Sequence, residues 1–396
     1  MNSRLLHTPD GVRDIFGDEC AEKRLLGERV RQIFHSHGFR DIETPTFEYF
    51  DVFGNEIGTI PSRELYKFFD RDGNTLSLRP DFTPSIARAA VRYFLQDQDP
   101  VRLCYSGNTF VNNENLRGRM KENTQMGVEL ICDSSVDADA EIIAMAIESL
   151  LAAGLSDFQI SLSNVQFLDS LVDEAGLMDE MEEELRTFVK NRNPFGVEKL
   201  LADLPIDERL KDLLVRLPNL FGGAEMLEDV KNLYSGSESA AALERLSMIF
   251  RIMQMYGLEK YISFDLGMAS SYKYYTGIIF RGFTYGSGEP VIKGGRYDKL
   301  LGSFGKDAPS VGFVVVVEQL LSAMRRQHIP LPREESPVLI EFSEEQREDA
   351  MRLASSMRSE GKNCALHFVP DSGKGPAQRT DENGMYSKII RLGGCS

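Results

Sequence analysis

Residues 168–257 carry an almost unbroken helical pattern set between stretches that alternate like strands, and few architectures accommodate that order. Leu243, Leu246, Ile249, Phe250 and Met253 recur at the spacing of one helix face. Before the block, FQISLSN alternates like a half-buried strand; after it come YISFDLG, YYTGIIFRGFTY, EPVIKGG and the apolar SVGFVVVV. Helices inserted into a strand-rich region imply an α+β domain. The methionines of the block read as core filler, with no cofactor implied.

The remaining elements follow from period and punctuation. A long amphipathic helix is expected over Glu19–His37, with Leu25, Leu26, Val30, Ile33 and Phe34 on one side and Gly38 as its stop. FRDIETPTFEYF reads as extended, and Pro45 places it at a sheet edge or bend. Strands around Leu65–Phe69 and Leu76–Leu78 flank the turn RDGN, a hairpin signal. Asp137–Leu155 is a helix with acidic residues at its start and Gly154 at its end. After PLPREESP a β-α-β unit is expected: VLIEF, a helix opened by Ser343-x-x-Gln346, then NCALHF. The chain therefore divides into a core over 1–325, with its helical insertion at about 168–257, and a small α/β unit over 326–396.

Composition narrows the function classes. The 396-residue chain has 61 acidic against 45 basic side chains, a net charge of −16. Nucleic-acid binders draw affinity from a basic surface that releases phosphate counterions, so tRNA or another large polyanion is not the expected partner. The acidic run DEMEEEL from Asp179 reads as a solvated helix face. No run is long and apolar enough to span a bilayer, and a cytoplasmic protein is expected. Cys20, Cys104, Cys132, Cys364 and Cys395 are scattered without a CxxC pair, so neither a zinc site nor a disulfide frame is suggested. GKGP at Gly373 lacks P-loop spacing, and no GxGxxG, GxSxG or HExxH is present. No cofactor or metal is expected.

Chemistry concentrates in short motifs. FVNNENLRGRMKENTQMGVEL, Phe110 to Leu130, reads as strand, polar loop and strand. The return strand carries Gln125 and Glu129, but the outgoing one ends in Val111, Asn112 and Asn113, with no cation. In LRPDFT, Asp81 and Thr83 fall on one face of an extended segment, where an acid and a hydroxyl could hold an ammonium group. In the pair Tyr274-Tyr275, alternation sends one ring away from the core. The paired glycines of GGRYD, Gly294 to Asp298, permit close approach of the backbone to a ligand or a tight bend in the sheet.

TPDGVRDIF at Thr8, LRPDFT at Leu78, QMGVE at Gln125, YYTG at Tyr274, GGRYD at Gly294 and VGF at Val311 together resemble histidyl-tRNA synthetase in order and spacing. The resemblance covers about residues 8–325. It implies the class II synthetase fold, an antiparallel sheet flanked by helices, and a dimer built on the first helix and the strand after it. It also implies that Asp81 and Thr83 receive the α-ammonium of histidine with Gln125 beside them, and that Glu129 and Tyr274 recognise the imidazole with Tyr275 alongside.

The departures from that family fall on its cations. Val111 stands where the synthetases carry an arginine for the carboxylate and the α-phosphate, with Asn113 in place of a glutamate. Ser270 stands where a second arginine precedes the tyrosine pair, and Gln319 where a third holds the outer phosphates. Adenylation builds negative charge on phosphorus, and losing one donor to such charge commonly costs ~3 kcal/mol. This profile resembles the regulatory subunits of ATP phosphoribosyltransferase, synthetase-like chains of histidine biosynthesis. That resemblance implies a non-catalytic partner of a short-form catalytic subunit, conferring feedback inhibition by histidine within a hetero-octamer. An active synthetase would need arginines from elsewhere, with Arg88, Arg119 and Arg296 as candidates; a stand-alone histidine sensor is the other alternative.

Overall fold

The computed structural model describes residues 6–54, 60–95, 99–113, 120–178, 180–234, 236–268, 274–331, 333, 335–370, 378–379 and 385–393. Its strands, in chain order, begin with β1 (Arg40–Asp41), β2 (Phe47–Tyr49), β3 (Lys67–Phe69), β4 (Thr75–Leu78), β5 (Val101–Phe110) and β6 (Glu122–Ile131). There follow β7 (Phe158–Asn164), β8 (Phe221–Gly222), β9 (Ile262–Asp265), β10 (Ile278–Thr284), β11 (Ile292–Arg296) and β12 (Ser310–Val316). The last four are β13 (Val338–Phe342), β14 (Cys364–Phe368), β15 (Gln378–Arg379) and β16 (Lys388–Arg391). The helices needed below are α1 (Gly17–Ser36), α2 (Thr83–Tyr93), α3 (Val136–Ala153), α4 (Val165–Glu174), α5 (Ser237–Tyr256), α6 (Val317–Arg326) and α7 (Arg347–Ser359). Two compact units make up the chain: Met1–Ile15 with Lys23–Leu331, and Phe16–Glu22 with Pro332–Ser396.

In the larger unit, nine strands form one sheet in the order β1-β5-β6-β12-β11-β10-β7-β9-β8. From β5 to β7 every neighbouring pair is antiparallel. The expected hairpin is therefore real: β5 and β6 pair from Val101↔Ile131 to Phe110↔Glu122. β7 and β9 are parallel neighbours. A parallel pair cannot be closed by a tight turn, and the helical block between them is its crossover. Helices occupy that block from Val165 to Tyr256, broken by β8. The hairpin at RDGN pairs Lys67–Phe69 with Thr75–Ser77 in a separate three-stranded sheet, β2-β4-β3.

One face of the sheet carries the main core. α1 contributes Leu26, Val30 and Phe34, each 1% exposed, while α3 contributes Ile142, Ile143 and Leu150. The ends of α3 match the chain's punctuation: the Ser135 hydroxyl accepts from Ala138 N–H at 3.1 Å, and Gly154 takes a left-handed φ of 107°. In α5, Leu243, Leu246, Ile249 and Met253 are fully buried. The reading of the methionines as core filler holds for Met253 but not for Met248 and Met255, which are exposed. A second cluster on the opposite face gathers Phe82, Ile86, Tyr105, Tyr274, Tyr297, Leu300 and Leu301.

The smaller unit contains the expected β-α-β arrangement. β13 pairs in parallel with β14 and with β16, and α7 connects the first two. Ser343 N–H donates to Gln346 Oε1 at 2.9 Å, the reciprocal half of the expected cap. A 3₁₀ turn, Glu344–Gln346, intervenes before α7 itself.

Asp139, the fourth residue of α3, is completely buried between two guanidinium groups. Arg296 Nε from β11 donates to its Oδ1 at 2.8 Å, and Arg245 Nε from α5 donates to its Oδ2 at 2.6 Å. Arg296 is itself only 3% exposed. Removing one member of a buried ion pair strands the other charge, at ~3–5 kcal/mol. Asp139→Asn is therefore expected to lower the urea-unfolding free energy by about 3 kcal/mol, whereas a loss below about 1 kcal/mol would place the three-way contact among the unimportant ones.

Candidate functional site

The candidate pocket lies on the sheet face opposite the main core, and strand alternation selects its residues. On β6, Gln125, Gly127 and Glu129 share that face; on β12 it is Gly312 and Val314; on β11 it is Lys293 and Gly295. Gly312 must be glycine, because a Cβ there would stand 1.9 Å from Glu129 Oε2. A Cβ at Gly295 would meet the Tyr275 ring at 2.7 Å. The GGRYD glycines thus admit side chains onto a continuous strand, with no bend.

Glu129 is 2% exposed, and its carboxylate is dressed on both oxygens. Thr83 Oγ1 donates to Oε1 at 2.8 Å, and the Tyr297 hydroxyl donates to Oε2. Asp81 accepts from Tyr274 Oη at 3.3 Å and from Thr83 N–H at 3.4 Å. The expected extended segment is not found at Thr83, which is the first residue of α2. Pro84 next to it favours that start, and Asp81 places an anion at the helix N-terminus. Hydrogen bonds link the expected ammonium and ring groups to each other: Thr83 is bonded to Glu129, and Tyr274 to Asp81.

Tyr274 and Tyr275 do not alternate across a sheet, since they precede β10 in a turn. Their rings lie 4.8 Å apart against the same cluster, with Tyr297 edge-on to Tyr274 at 5.8 Å. Gln125 Oε1 is buried without a hydrogen-bond partner. The structure thus brings Asp81, Thr83, Glu129 and Tyr274 into direct contact, with Tyr275 against them and Gln125 on the same strand face. Tyr297 is a member that the sequence reading did not single out, although GGRYD contains it.

Burial dominates the electrostatics here. It pushes the Glu129 carboxyl up to about 8, against the pull of the Tyr297 and Thr83 hydroxyls. Burial raises Asp81 too. Tyr297 is held well above the usual phenol range by burial and by the facing carboxylate of Glu129.

Around this centre, Val111 is half-buried beyond the end of β5, its N–H bonded to Lys121 O at 2.9 Å. Gln319 is a neutral residue in α6, its Oε1 3.5 Å from Ser287 Oγ. Ser270 and Arg119 lie outside the described residues. Arg88 Nη2 is bonded to Glu48 at 2.8 Å and Arg296 to Asp139, so neither guanidinium is directed at the pocket.

Glu129 binds its proton more tightly in the folded chain than in the unfolded one. Its contribution to stability is therefore greatest at low pH and is lost as pH rises from the ordinary glutamate range through about 8. Glu129→Gln removes this loss. The variant is expected to be more stable than the parent by ~4 kcal/mol at pH 8.5, with the gap closing toward pH 5. Thermal melts across that range test it, and parallel curves for the two proteins would refute the shifted carboxyl.

The histidyl-tRNA synthetase family model matches residues 11–320. The ATP phosphoribosyltransferase regulatory subunit of Acetivibrio thermocellus is 40% identical over 356 residues, 90% of this chain and 85% of its own. Its namesake from Ruminiclostridium cellulolyticum is 40% identical over 394 residues, 100% of this chain and 92% of its own. A crystal structure from Bacillus halodurans, described as an ATP phosphoribosyltransferase regulatory subunit/histidyl-tRNA synthetase, superposes with a TM-score of 0.85 at 31% identity, covering 99% of this chain and 98% of that one. Sequence and fold agree, and the chain belongs to the family of ATP phosphoribosyltransferase regulatory subunits built on the histidyl-tRNA synthetase fold.

Proposed function

We propose that this chain is the non-catalytic partner of a short-form ATP phosphoribosyltransferase catalytic subunit, needed for that subunit's activity and conferring feedback inhibition by histidine. The observation that carries this reading is the uneven survival of the site. Two buried carboxylates and their hydroxyl donors remain at the amino-acid end, while Val111 and Gln319 leave neutral groups where the resemblance places phosphate-holding arginines. Histidine sits in the inherited pocket: Asp81 and the unpartnered Gln125 Oε1 offer acceptors to the ammonium, and Glu129 with Tyr274 offers partners to the two ring nitrogens.

The partner assembly follows the resemblance: copies of this chain pair as homodimers within a hetero-octamer in the cytoplasm. Exposed Phe47 and Phe69 on the three-stranded sheet supply apolar surface for contacts between chains. A net charge of −16 supports the expectation that tRNA is not a ligand. No helix among the described residues is long and apolar enough to cross a membrane.

Two measurements test the reading. The purified chain is expected to catalyse no histidine-dependent pyrophosphate exchange with ATP and magnesium; robust exchange would restore the synthetase. In complexes reconstituted with the catalytic subunit, Glu129→Gln and Asp81→Ala are each expected to raise the half-inhibiting histidine concentration about tenfold or more, the scale of ~1.4 kcal/mol. Inhibition is read as the ratio of rates with and without histidine in the same complex, so altered basal rates cancel. Curves identical to the parent for both variants would move the effector to another site.

A further inference from the structure

Two polar atoms, one acceptor and one donor, stand side by side at the β5–β6 end of the pocket, and neither has a partner. The acceptor is Gln125 Oε1, buried on β6. The donor is Nη2 of Arg79, a residue of LRPDFT that lies between β4 and α2 and is 8% exposed. Its Nε donates to Asn108 O at 2.8 Å and its Nη1 to Thr44 O at 2.9 Å, while its Cζ stands 4.0 Å from the centre of the Phe82 ring. Nη2 donates to no described residue and is not sealed from solvent. No carboxylate pairs with the guanidinium, and burial lowers its pKa. Taking a cation out of water is costly unless a counter-charge receives it, so an arginine this deep without one is an open valence of the structure.

The sheet register places the two atoms together. Leu103 on β5 pairs with Glu129 and Gly107 with Gln125, so Gly107 belongs to the pocket face. A Cβ at Gly107 would stand 2.7 Å from Arg79 Nη2 and 2.9 Å from the Phe82 ring. The glycine therefore lets the guanidinium down onto the sheet, and directly paired residues are only about 5 Å apart between Cα atoms. The backbone fixes the approach, since Arg79 O accepts from Phe110 N–H at 2.9 Å, one residue before Val111. Asp81 follows Arg79 by two residues and carries a buried carboxyl. A cation with one free N–H direction thus has an acid beside it along the chain and an unpaired amide oxygen beside it across the sheet. An amino-acid head group matches that set, because it presents an ammonium and a carboxylate on a single carbon.

We propose that Arg79, through Nη2, holds the α-carboxylate of the amino acid bound in this pocket, beside an ammonium received by Asp81 and Gln125. The proposal rests on the reading of the pocket as a histidine site and names how that site tells an amino acid from the corresponding amino alcohol. The resemblance gives this duty to an arginine at the position of Val111; Arg79 reaches the same end of β5 from the neighbouring segment. Its other two nitrogens are fixed by backbone carbonyls, so the ligand meets a guanidinium already held in place.

Isothermal titration of the full-length chain compares L-histidine with L-histidinol, which keeps the ring and the amine and carries a hydroxymethyl group in place of the carboxylate. The parent is expected to prefer L-histidine by about tenfold or more. Equal affinities for the two overturn the proposal with no variant needed. Arg79→Met keeps an unbranched stem over Phe82 and removes the charge. It is expected to lose about tenfold in L-histidine affinity while L-histidinol affinity stays within about twofold. An unchanged L-histidine affinity in Arg79→Met overturns the proposal. So does an equal loss for both ligands, which would mark Arg79 as support for the Thr44 and Asn108 carbonyls alone. A parent chain that binds neither ligand refutes the histidine reading of the pocket, and this proposal with it.

Discussion

The contact on which most else depends is the carboxylate of Asp139 held between Arg296 and Arg245. It joins three parts of the chain that are remote in sequence: the start of α3, the middle of the sheet, and the long helix that closes the inserted block. All three groups lie under the main core face, yet the consequence is felt on the other face. Arg296 and Tyr297 are consecutive, so fixing the guanidinium on one side of β11 aims the phenol to the other, where it meets Glu129. Arg296 also donates to Asp298 Oδ1 at 3.1 Å and to Asp133 O at 3.0 Å, so the turn after the strand is held as well. A buried ion network contributes little net stability over an apolar replacement, and its value here is geometric.

Given that anchor, the pocket follows from small residues and buried acids. Gly312 leaves the volume that the Glu129 carboxylate fills, and Gly295 leaves the volume beneath Tyr275. Burying a carboxyl costs free energy unless hydrogen bonds replace water, and Thr83 and Tyr297 provide one bond to each oxygen. The compensation is partial, as the elevation of Glu129 to about 8 records. A core designed only for stability would place an amide or an apolar residue there. Retaining an acid that costs stability near neutral pH is what the proposed ligand site would require.

Much of this was legible from period and punctuation. The helical block, the β5–β6 hairpin and the course of α3, with acids at its start and Gly154 at its stop, follow from spacing and punctuation. What escaped depends on contacts remote in sequence or on local turns. Tyr297 reaches Glu129 across 168 positions, and nothing around it in the sequence announces that partner. Asp139 reads as one of several acids suited to a helix start, where exposed Asp137 plays that part and Asp139 is interior. Alternation alone sets Thr83 in an extended segment, whereas Pro84 beside it marks a first helical turn. The methionines divide for a similar reason: Met253 and Met255 differ by two positions, and that rotation carries one inside and the other into solvent.

An enzyme that activates an amino acid and a protein that senses one need opposite electrostatics beyond the shared pocket. Activation requires fixed positive charge where phosphate oxygens gather charge in the transition state. Sensing requires that the ligand bind, leave unchanged, and favour one state of an assembly over another. A ligand shifts such an equilibrium only by its difference in affinity between the two states, and ~1–3 kcal/mol of difference suffices for feedback. The site is well placed to create that difference, because its parts come from separate elements. Asp81 and Thr83 ride at the start of α2, Glu129 on β6, Tyr274 on the turn before β10 and Tyr297 just after β11. Relative displacement of α2 against the sheet would break the Thr83–Glu129 bond and open Asp81 from Tyr274 together. A bound amino acid bridging α2 and β6 would resist that displacement, and any partner surface coupled to α2 would feel the ligand through it.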